Sequence, residues 1–220
     1  MRAVVFAYHN VGDRCLRVLH ARGVDVALVV THRDRPDENI WFRRVADTAA
    51  ELNLSFIYGE DPTDPALAEA VRAAKPDVIF SFYYRSMIPA DLLAVAPQGA
   101  FNMHGSLLPK YRGATPIQSV ILNGETETGV TIMEMTAQVD AGRIISQNNT
   151  DILPEETAGQ LRKRLAKLGA KMLLEAVPAY LSGQAKLTEQ NTAAVSMTKR
   201  FNKEDGQIDW TKPAEVIVRQ

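Results

Sequence analysis

Short apolar runs alternate with amphipathic segments through the first half of the chain, and this alternation limits the fold more than any other feature. The runs are rich in β-branched and aromatic residues and have the length of strands: 3–8, 24–31, 54–58, 77–82 and 99–104. Between them, apolar residues recur at helical spacing: 13–22, 40–52 and 64–74. Short connections in this order are typical of βαβ units. The sequence therefore predicts an α/β fold with a mostly parallel central sheet and helices on both faces.

The turn signals set the expected ends of these elements. Residues 10–12 precede the first predicted helix as a turn, Gly23 ends that helix in a left-handed position, and 32–39 is a polar loop. In the second half we expect strands at 128–134 and 143–152. One long helix is expected over 156–181, starting after Pro154 and ending at Ser182-Gly183.

Composition removes several classes of function. The formal net charge is -1 and the pI is about 6.4, so no global excess of positive charge favours binding to nucleic acid. Cys15 has no second cysteine with which to form an internal disulfide. The start of the chain lacks the apolar region of a signal peptide, and the longest apolar runs fall far short of the ~20 residues of a membrane helix. We expect a cytoplasmic protein with no membrane partner.

Familiar cofactor motifs are also missing. The first predicted strand is not followed by the glycine-rich fingerprint of dinucleotide-binding proteins, and the chain has no phosphate-binding Gly-x-x-x-x-Gly-Lys-Ser/Thr motif. The histidines at positions 9, 20 and 32 are scattered and there is one cysteine, so no metal-ligand spacing is present. The sequence predicts no catalytic metal.

Asn102 and His104 are the first candidates for chemistry. They lie two apart on a predicted strand, so both side chains project to the same side. An amide can donate to a developing oxyanion, and an imidazole, with an ordinary pKa of about 6.5, can exchange a proton at neutral pH. An isolated pair could equally satisfy loop backbone groups. Its place at the carboxyl end of a central strand, where open α/β sheets bind ligands, favours a functional role.

Three further segments are candidates for the site. Asp140, followed by Ala141-Gly142, is either a turn residue or a carboxylate that orients His104. The cations in 109–113 stand on a loop closed by glycine and either bind a phosphate or another anion or are solvated. The aromatic residues in 81–88 either line a site for a flat ligand or belong to the core.

Taken together, the motifs resemble the folate-dependent formyltransferase family over nearly the whole chain. They are Asn102-Met103-His104-Gly105-Ser106-Leu107-Leu108-Pro109, Arg112-Gly113, Glu127-Thr128-Gly129-Val130-Thr131 and Asp140-Ala141-Gly142. The resemblance implies a Rossmann-like domain that transfers a formyl group from 10-formyltetrahydrofolate to a primary amine through a tetrahedral intermediate. It also implies that Asn102, His104 and Asp140 are the catalytic residues.

The same resemblance implies which residues contact the two substrates. The formyl donor is expected to contact one group: Ser86, Met87, Ile88, Met135, Val139 and Asp140. The acceptor is expected to contact a second group: Tyr8, Arg85, Lys110, Tyr111 and Arg112. It further implies a formyltransferase catalytic domain over 1–183, a linker over 184–205 and, over 206–220, the start of a C-terminal subdomain most of which we expect to be absent from this chain.

The choice of acceptor stays open between branches of the family. Segments 5–9, 80–85 and 99–102 resemble the sugar-nucleotide branch, which implies an amino-sugar nucleotide such as UDP-4-amino-4-deoxy-L-arabinose and a role in lipopolysaccharide or lipid A modification. Segment 112–118 is closer to methionyl-tRNA formyltransferases, because Ala114 stands where the arabinose enzyme carries arginine. Near-neutral charge makes tRNA the weaker alternative. Glycinamide ribonucleotide formylation and a noncatalytic folate or nucleotide-sugar binding module are the others.

Overall fold

A computed structural model describes residues 1–36 and 40–220. The strands in these ranges are β1 Arg2–Ala7, β2 Asp25–Thr31, β3 Phe56–Tyr58, β4 Val78–Phe82, β5 Ala100–His104, β6 Arg112–Gly113, β7 Glu127–Glu134, β8 Ile144–Asp151 and β9 Met197–Thr198. The helices are α1 His9–Ala21, α2 Val45–Glu51, α3 Pro65–Ala73, α4 Ala90–Leu93, α5 Pro116–Leu122, α6 Ala158–Leu181 and α7 Ala214–Val218.

The central sheet of the described chain has the order β3-β2-β1-β4-β5-β7-β8. The first five of these strands are parallel, and β7 and β8 are antiparallel to their neighbours. A separate short sheet pairs β6 with β9. The prediction of an α/β fold with a mostly parallel sheet is confirmed.

Alternation along each strand divides the buried side chains between the two faces of the sheet. On one face Val5, Phe80 and Phe101 are fully buried in a cluster that also contains the apolar stripes of α1 and α6. On the other face Phe6 and Ile79 pack in a second cluster with α3 and α4. Helices therefore cover both faces, as a parallel sheet requires.

The first helix begins earlier than the sequence predicts. We expected a turn at residues 10–12, but α1 already starts at His9. A Cβ on Gly12 would lie 3.0 Å from both Ala7 Cβ and Val45 Cγ2. The glycine therefore permits close packing inside the helix rather than a turn before it.

The second and sixth helices begin later than predicted. Helix α2 starts at Val45 rather than Ile40. In the irregular stretch before it, the ring centroids of Phe42 and His9 are 4.2 Å apart. Residues 37–39 of the predicted loop lie outside the described residues. Helix α6 starts at Ala158 because Thr157 and Gln160 form a capping box. Its predicted end is confirmed, because Gly183 follows the cap Ser182 with φ +72°.

The segment 184–205, expected to be a linker, makes specific contacts with the sheet domain. Thr188 bridges to Ile144, and β9 pairs with β6. The domain boundaries stay a prediction. None of the helices in the described ranges combines the length and the apolar character that a membrane span needs.

Candidate active site

The structure brings the side chains of Asn102, His104 and Asp140 together. Asn102 and His104 lie on β5 and alternate with Phe101 and Met103, which face the opposite core. The Nδ2 of Asn102 is 3.3 Å from Oδ1 of Asp140, and the Nδ1 of His104 is 3.4 Å from its Oδ2. Three polar groups that are distant in the sequence therefore form one cluster.

The hydrogen bonds of His104 fix the orientation of its ring. Its Nε2 lies 2.8 Å from the carbonyl oxygen of Tyr111, and since a carbonyl only accepts, Nε2 carries a hydrogen. The other nitrogen, Nδ1, faces the Asp140 carboxylate. The carboxylate is therefore placed to orient the imidazole ring from the side opposite the Tyr111 carbonyl.

Asp140 reaches this position through a tight reversal of the chain. Because β7 runs antiparallel to β5, the chain leaves β7 beside Ala100, where the Met135 amide donates to the Ala100 carbonyl at 2.8 Å. The segment must then turn back across the sheet, and Asp140 adopts φ 48° in doing so. A Cβ on Gly142 would lie 1.8 Å from the carbonyl oxygen of Glu134, so only glycine fits there.

A cavity of about 950 Å³ opens over the three side chains. Every residue predicted to contact the formyl donor lines it: Ser86, Met87, Ile88, Met135, Val139 and Asp140. Of the residues predicted to contact the acceptor, Tyr8 and Arg85 line the cavity, and the Arg85 guanidinium lies 4.1 Å from the centroid of the Tyr8 ring. The cavity thus brings together all of the predicted donor group and two of the five residues of the predicted acceptor group.

Lys110, Tyr111 and Arg112, also predicted to contact the acceptor, do not line the cavity. Lys110 is exposed on the loop. The Tyr111 hydroxyl donates to Glu125 at 2.5 Å, and its ring is buried. Arg112 donates through Nη2 to the Gln190 side-chain oxygen at 2.6 Å. Tyr111 and Arg112 are therefore engaged with other parts of the protein, whereas Lys110 faces solvent outside the cavity lining.

The lining of the cavity also contains residues that sequence reasoning missed. Trp41 and Phe42 supply rings, and Arg35, Arg162 and Arg200 supply guanidinium groups. Trp41 is 51% exposed, and the Arg162 guanidinium lies 5.5 Å from its ring centroid. No motif joins these residues, because they come from segments far apart in the chain.

His32 supports the loop 83–88 that forms one wall of the cavity. Its Nε2 accepts from the Arg85 amide at 3.0 Å, so Nδ1 is the protonated nitrogen and donates to Glu60 at 3.2 Å. The ring also stacks on Tyr84 at 4.3 Å. Burial lowers the pKa of His32, while the hydrogen bond to Glu60 opposes that shift. Burial also raises the pKa of Tyr83 on the same wall to about 12.

Among residues 1–36 and 40–220, no group of three or more histidine, cysteine, aspartate or glutamate side chains is arranged to hold a metal ion. The three side chains that meet at the cavity are an amide, an imidazole and a carboxylate. An amide aimed at a carbonyl oxygen and a carboxylate–imidazole pair that moves a proton suit transfer of an acyl group.

Comparison with known proteins identifies the class. A family model for formyl transferases matches residues 1–177, and the chain therefore belongs to the formyl transferase family. Its members are enzymes that transfer a one-carbon acyl group, in agreement with the arrangement of the three side chains.

Several solved structures share the fold. WlaRD, a sugar 3N-formyl transferase solved in the presence of dTDP and 5-N-formyl-THF, is 20% identical with a TM-score of 0.76, over 100% of this chain and 77% of that chain. An N-formyltransferase from Helicobacter canadensis, in complex with folinic acid and dTDP-3-aminofucose, is 20% identical with a TM-score of 0.75, over 99% and 78%. Glycinamide ribonucleotide transformylase 1 from Symbiobacterium toebii is 22% identical with a TM-score of 0.72, over 86% and 94%. At these identities the likeness concerns the fold.

Proposed function

We propose that this protein transfers the formyl group of 10-formyltetrahydrofolate to the primary amine of an amino-sugar nucleotide. The observation that carries the proposal is the meeting of Asn102, His104 and Asp140 on one wall of a cavity of about 950 Å³. Ligand sites of this kind typically measure 300–1,000 Å³, so the cavity suits a large ligand or two ligands side by side.

The formyl donor fits the wall made by 86–88 and 135–140. Ile88 and Met135 offer apolar surface to a flat ring, and the peptide groups of the turning segment offer donors and acceptors to its edge. The folds of two proteins solved with formylated folates, 5-N-formyl-THF and folinic acid, support this assignment. The donor supplies the activated formyl carbon when it is bound.

Asn102 and His104 act on the formyl oxygen as negative charge develops there. The Asn102 amide donates a hydrogen bond without changing its own charge, and such a donor in a water-excluded site is worth ~3 kcal/mol of barrier. The His104 Nδ1 contact to Asp140, at 3.4 Å, is long for a hydrogen bond and leaves that nitrogen able to tighten onto a reacting group. Asp140 then holds the imidazole in place and takes the proton that the acceptor amine gives up as it bonds to the formyl carbon. The bond between that carbon and the folate nitrogen then breaks, and the proton passes from Asp140 to this nitrogen, so that tetrahydrofolate leaves.

The acceptor fits the part of the cavity lined by Arg35, Trp41, Phe42, Arg162 and Arg200, which we call the acceptor wall. Arg35, Arg162 and Arg200 suit the charge of a diphosphate, and the exposed ring of Trp41 suits a nucleobase or a sugar face. Two proteins of the same fold were solved with dTDP or a dTDP-amino sugar. UDP-4-amino-4-deoxy-L-arabinose is the first acceptor to test, and a role in lipid A modification would follow from its use.

The test is a product assay with 10-formyltetrahydrofolate and a panel of amino-sugar nucleotides that differ in base and amine position. We expect one of them to be formylated, detected by mass spectrometry, at a rate that collapses in Asn102→Ala, His104→Ala and Asp140→Ala variants. Equal rates in these variants, shown to be folded, would overturn the proposal. Binding of both ligands without product would instead indicate a noncatalytic module.

The remaining acceptors are separated by the same panel. Methionyl-tRNA, favoured only by the resemblance of segment 112–118, would bind with an affinity that falls steeply with salt because a polyanion releases counterions. A nucleotide sugar would show a much weaker dependence. Turnover of glycinamide ribonucleotide in preference to every amino-sugar nucleotide would replace the proposed acceptor and keep the formyl transfer.

A further inference from the structure

Gln190 clamps the segment that carries Asp140. Its side-chain nitrogen donates to two backbone carbonyls, that of Asp140 at 2.9 Å and that of Gly142 at 2.7 Å. The two carbonyls flank Ala141, immediately after the residue with φ 48°. Both hydrogens of one amide are thus used to hold a backbone conformation that non-glycine residues rarely adopt.

The other end of the Gln190 amide is also occupied. Its side-chain oxygen accepts from Arg112, at 2.6 Å from Nη2 and 3.1 Å from Nε. A flipped amide would set its hydrogens against a guanidinium and its oxygen against two carbonyls, so the network permits one orientation. Gln190 is 9% exposed, and removal of its amide would leave buried polar groups without partners.

Arg112 belongs to the loop that holds the other two polar contacts of the site. The Tyr111 carbonyl beside it accepts from His104 Nε2, and the Gly113 amide on its other side donates to Asp140 Oδ2 at 2.8 Å. Gln190 therefore connects the loop that orients the imidazole to the segment that supplies the carboxylate. It does not line the cavity itself.

The chain after Gln190 holds the same loop through a second residue. The Ser196 hydroxyl accepts from the Tyr111 amide at 2.8 Å, and the Ser196 carbonyl accepts from the Arg112 amide at 2.9 Å. These residues lie beyond 1–177, the range that matches the family model. The segment 190–196, which follows α6, is thus part of the frame of the site.

We infer that Gln190 is a positioning residue for formyl transfer, which keeps the Asp140 carboxylate in register with His104. This inference rests on the proposed function of the site. A displacement of ~1 Å in an active site can lower the rate about 10²-fold. We therefore expect loss of the two Gln190 hydrogen bonds to lower kcat.

The test compares Gln190→Met and Gln190→Glu with the parent protein. Methionine keeps the length of the side chain without its hydrogen bonds. Glutamate still accepts from Arg112 but cannot donate to the two carbonyls. We expect both variants to lower kcat by about 10- to 100-fold, with KM values for donor and acceptor within about threefold of the parent.

The matched control is Gln220→Met. The Gln220 side-chain nitrogen also donates to two backbone carbonyls, those of Asp205 and Gln207, both at 2.9 Å, but it lies in the C-terminal tail. We expect this variant to keep the kcat of the parent. If Gln190→Met does not fold, Gln190→Glu carries the test alone, because it keeps the contact with Arg112 and loses the donation to both carbonyls.

A second readout does not depend on turnover. The Gly113 amide is bonded to the Asp140 carboxylate, so its hydrogen exchange reports whether that carboxylate stays in place. We expect faster exchange at Gly113 in Gln190→Met and unchanged exchange at Ile79 in the central sheet. Parent-like kcat and Gly113 exchange in folded variants would overturn the inference, and so would a loss expressed in both KM values with kcat retained. If the parent protein transfers no formyl group but Gly113 exchange is still faster in the variant, the proposed function is wrong and the positioning of Asp140 by Gln190 still holds.

Discussion

The two walls of the cavity differ in how firmly the fold holds their side chains. On the catalytic wall the His104 side chain is 6% exposed and that of Asp140 12%, and each is bonded to backbone groups of a loop. On the acceptor wall Trp41 is 51% exposed, and the Arg162 guanidinium contacts its ring in a cation–π pair. A preorganised wall suits the chemical step, which is the same for every acceptor, and a more open wall suits the choice of acceptor.

The strongest test of this contrast is Asp140→Asn. The substitution keeps the shape of the side chain but replaces the carboxyl group that faces His104 Nδ1, which is the proposed acceptor of the amine proton. We expect kcat to fall by about 10³-fold or more with small changes in both KM values, by analogy with other carboxylate–imidazole pairs. Asp47→Asn, an exposed carboxylate on α2, is the control. A tenfold or smaller loss in the Asp140 variant would mean that the catalytic wall does not work through this carboxylate.

Gly142→Ala tests whether the catalytic wall tolerates a shift of its backbone. The added Cβ would overlap the Glu134 carbonyl, so the segment must move and carry Asp140 with it. We expect an activity loss of about 10²-fold and a destabilisation of about 1–3 kcal/mol, measured by steady-state kinetics and denaturant unfolding. Gly159→Ala is the matched control, because the nearest atom to its Cβ is 3.9 Å away and alanine in a helix gains about 0.5–1 kcal/mol. Parent-like activity in the Gly142 variant would show that this wall is softer than its contacts imply.

Arg162→Met tests whether the acceptor wall binds the acceptor. Loss of one guanidinium from an anion site is expected to raise the KM of the acceptor about tenfold, since a charged hydrogen bond contributes about 1.5–3 kcal/mol. The kcat and the KM of the donor should change by less than about threefold. Lys163→Met removes the neighbouring exposed cation, which does not line the cavity, and should change neither constant. A fall in kcat without a change in acceptor KM would mean that Arg162 acts in the chemical step rather than in binding the acceptor, and the two walls would not differ in role.

The smallest expected effect concerns pH and His32, which supports the loop 83–88. Burial lowers the pKa of His32, so the folded protein favours the neutral ring. The stability that this neutral ring contributes is fully present above the ordinary histidine pKa of about 6.5 and is lost as the pH falls through the folded pKa. Glu60 faces the ring and opposes the shift, whereas Arg85 and Arg35 reinforce it.

Denaturant unfolding of parent and His32→Gln across this pH range checks the point. We expect the parent to lose more stability than the variant on acidification. His20→Gln, an exposed histidine of α1, should follow the parent. If the free energy of unfolding changes with pH by the same amount in the parent and in His32→Gln, the folded protein does not favour the neutral ring.

The sequence predicted the elements whose signals are local. Period-two spacing was enough to put Asn102 and His104 on one face, and Gly23 and Gly183 mark helix ends because a left-handed residue is needed there. Helix starts were less accurate. Gly12 signals a turn in sequence but sits inside α1, and the cap of α6 lies at Thr157 rather than near Pro154.

What the sequence could not provide is long-range pairing. Gln190 lies in a polar, irregular stretch, and nothing in its neighbours indicates that its amide would contact Arg112 and Asp140. The pairing of β6 with β9 involves strands too short to leave a periodic pattern. The cations of 109–113 look available for an anion until the structure shows that Arg112 is committed to Gln190.

The reversal after β7 also sets a limit on insertions and deletions. The stretch from Met135 to Gly142 must leave beside Ala100, cross back to His104 and return to pair Arg143 with Glu134, so its length is fixed by both ends at once. One residue more or fewer would carry the carboxylate past the imidazole while leaving the buried layers of the sheet untouched. The number of residues in this stretch, as much as their identity, therefore decides whether a folded protein has its carboxylate beside the imidazole.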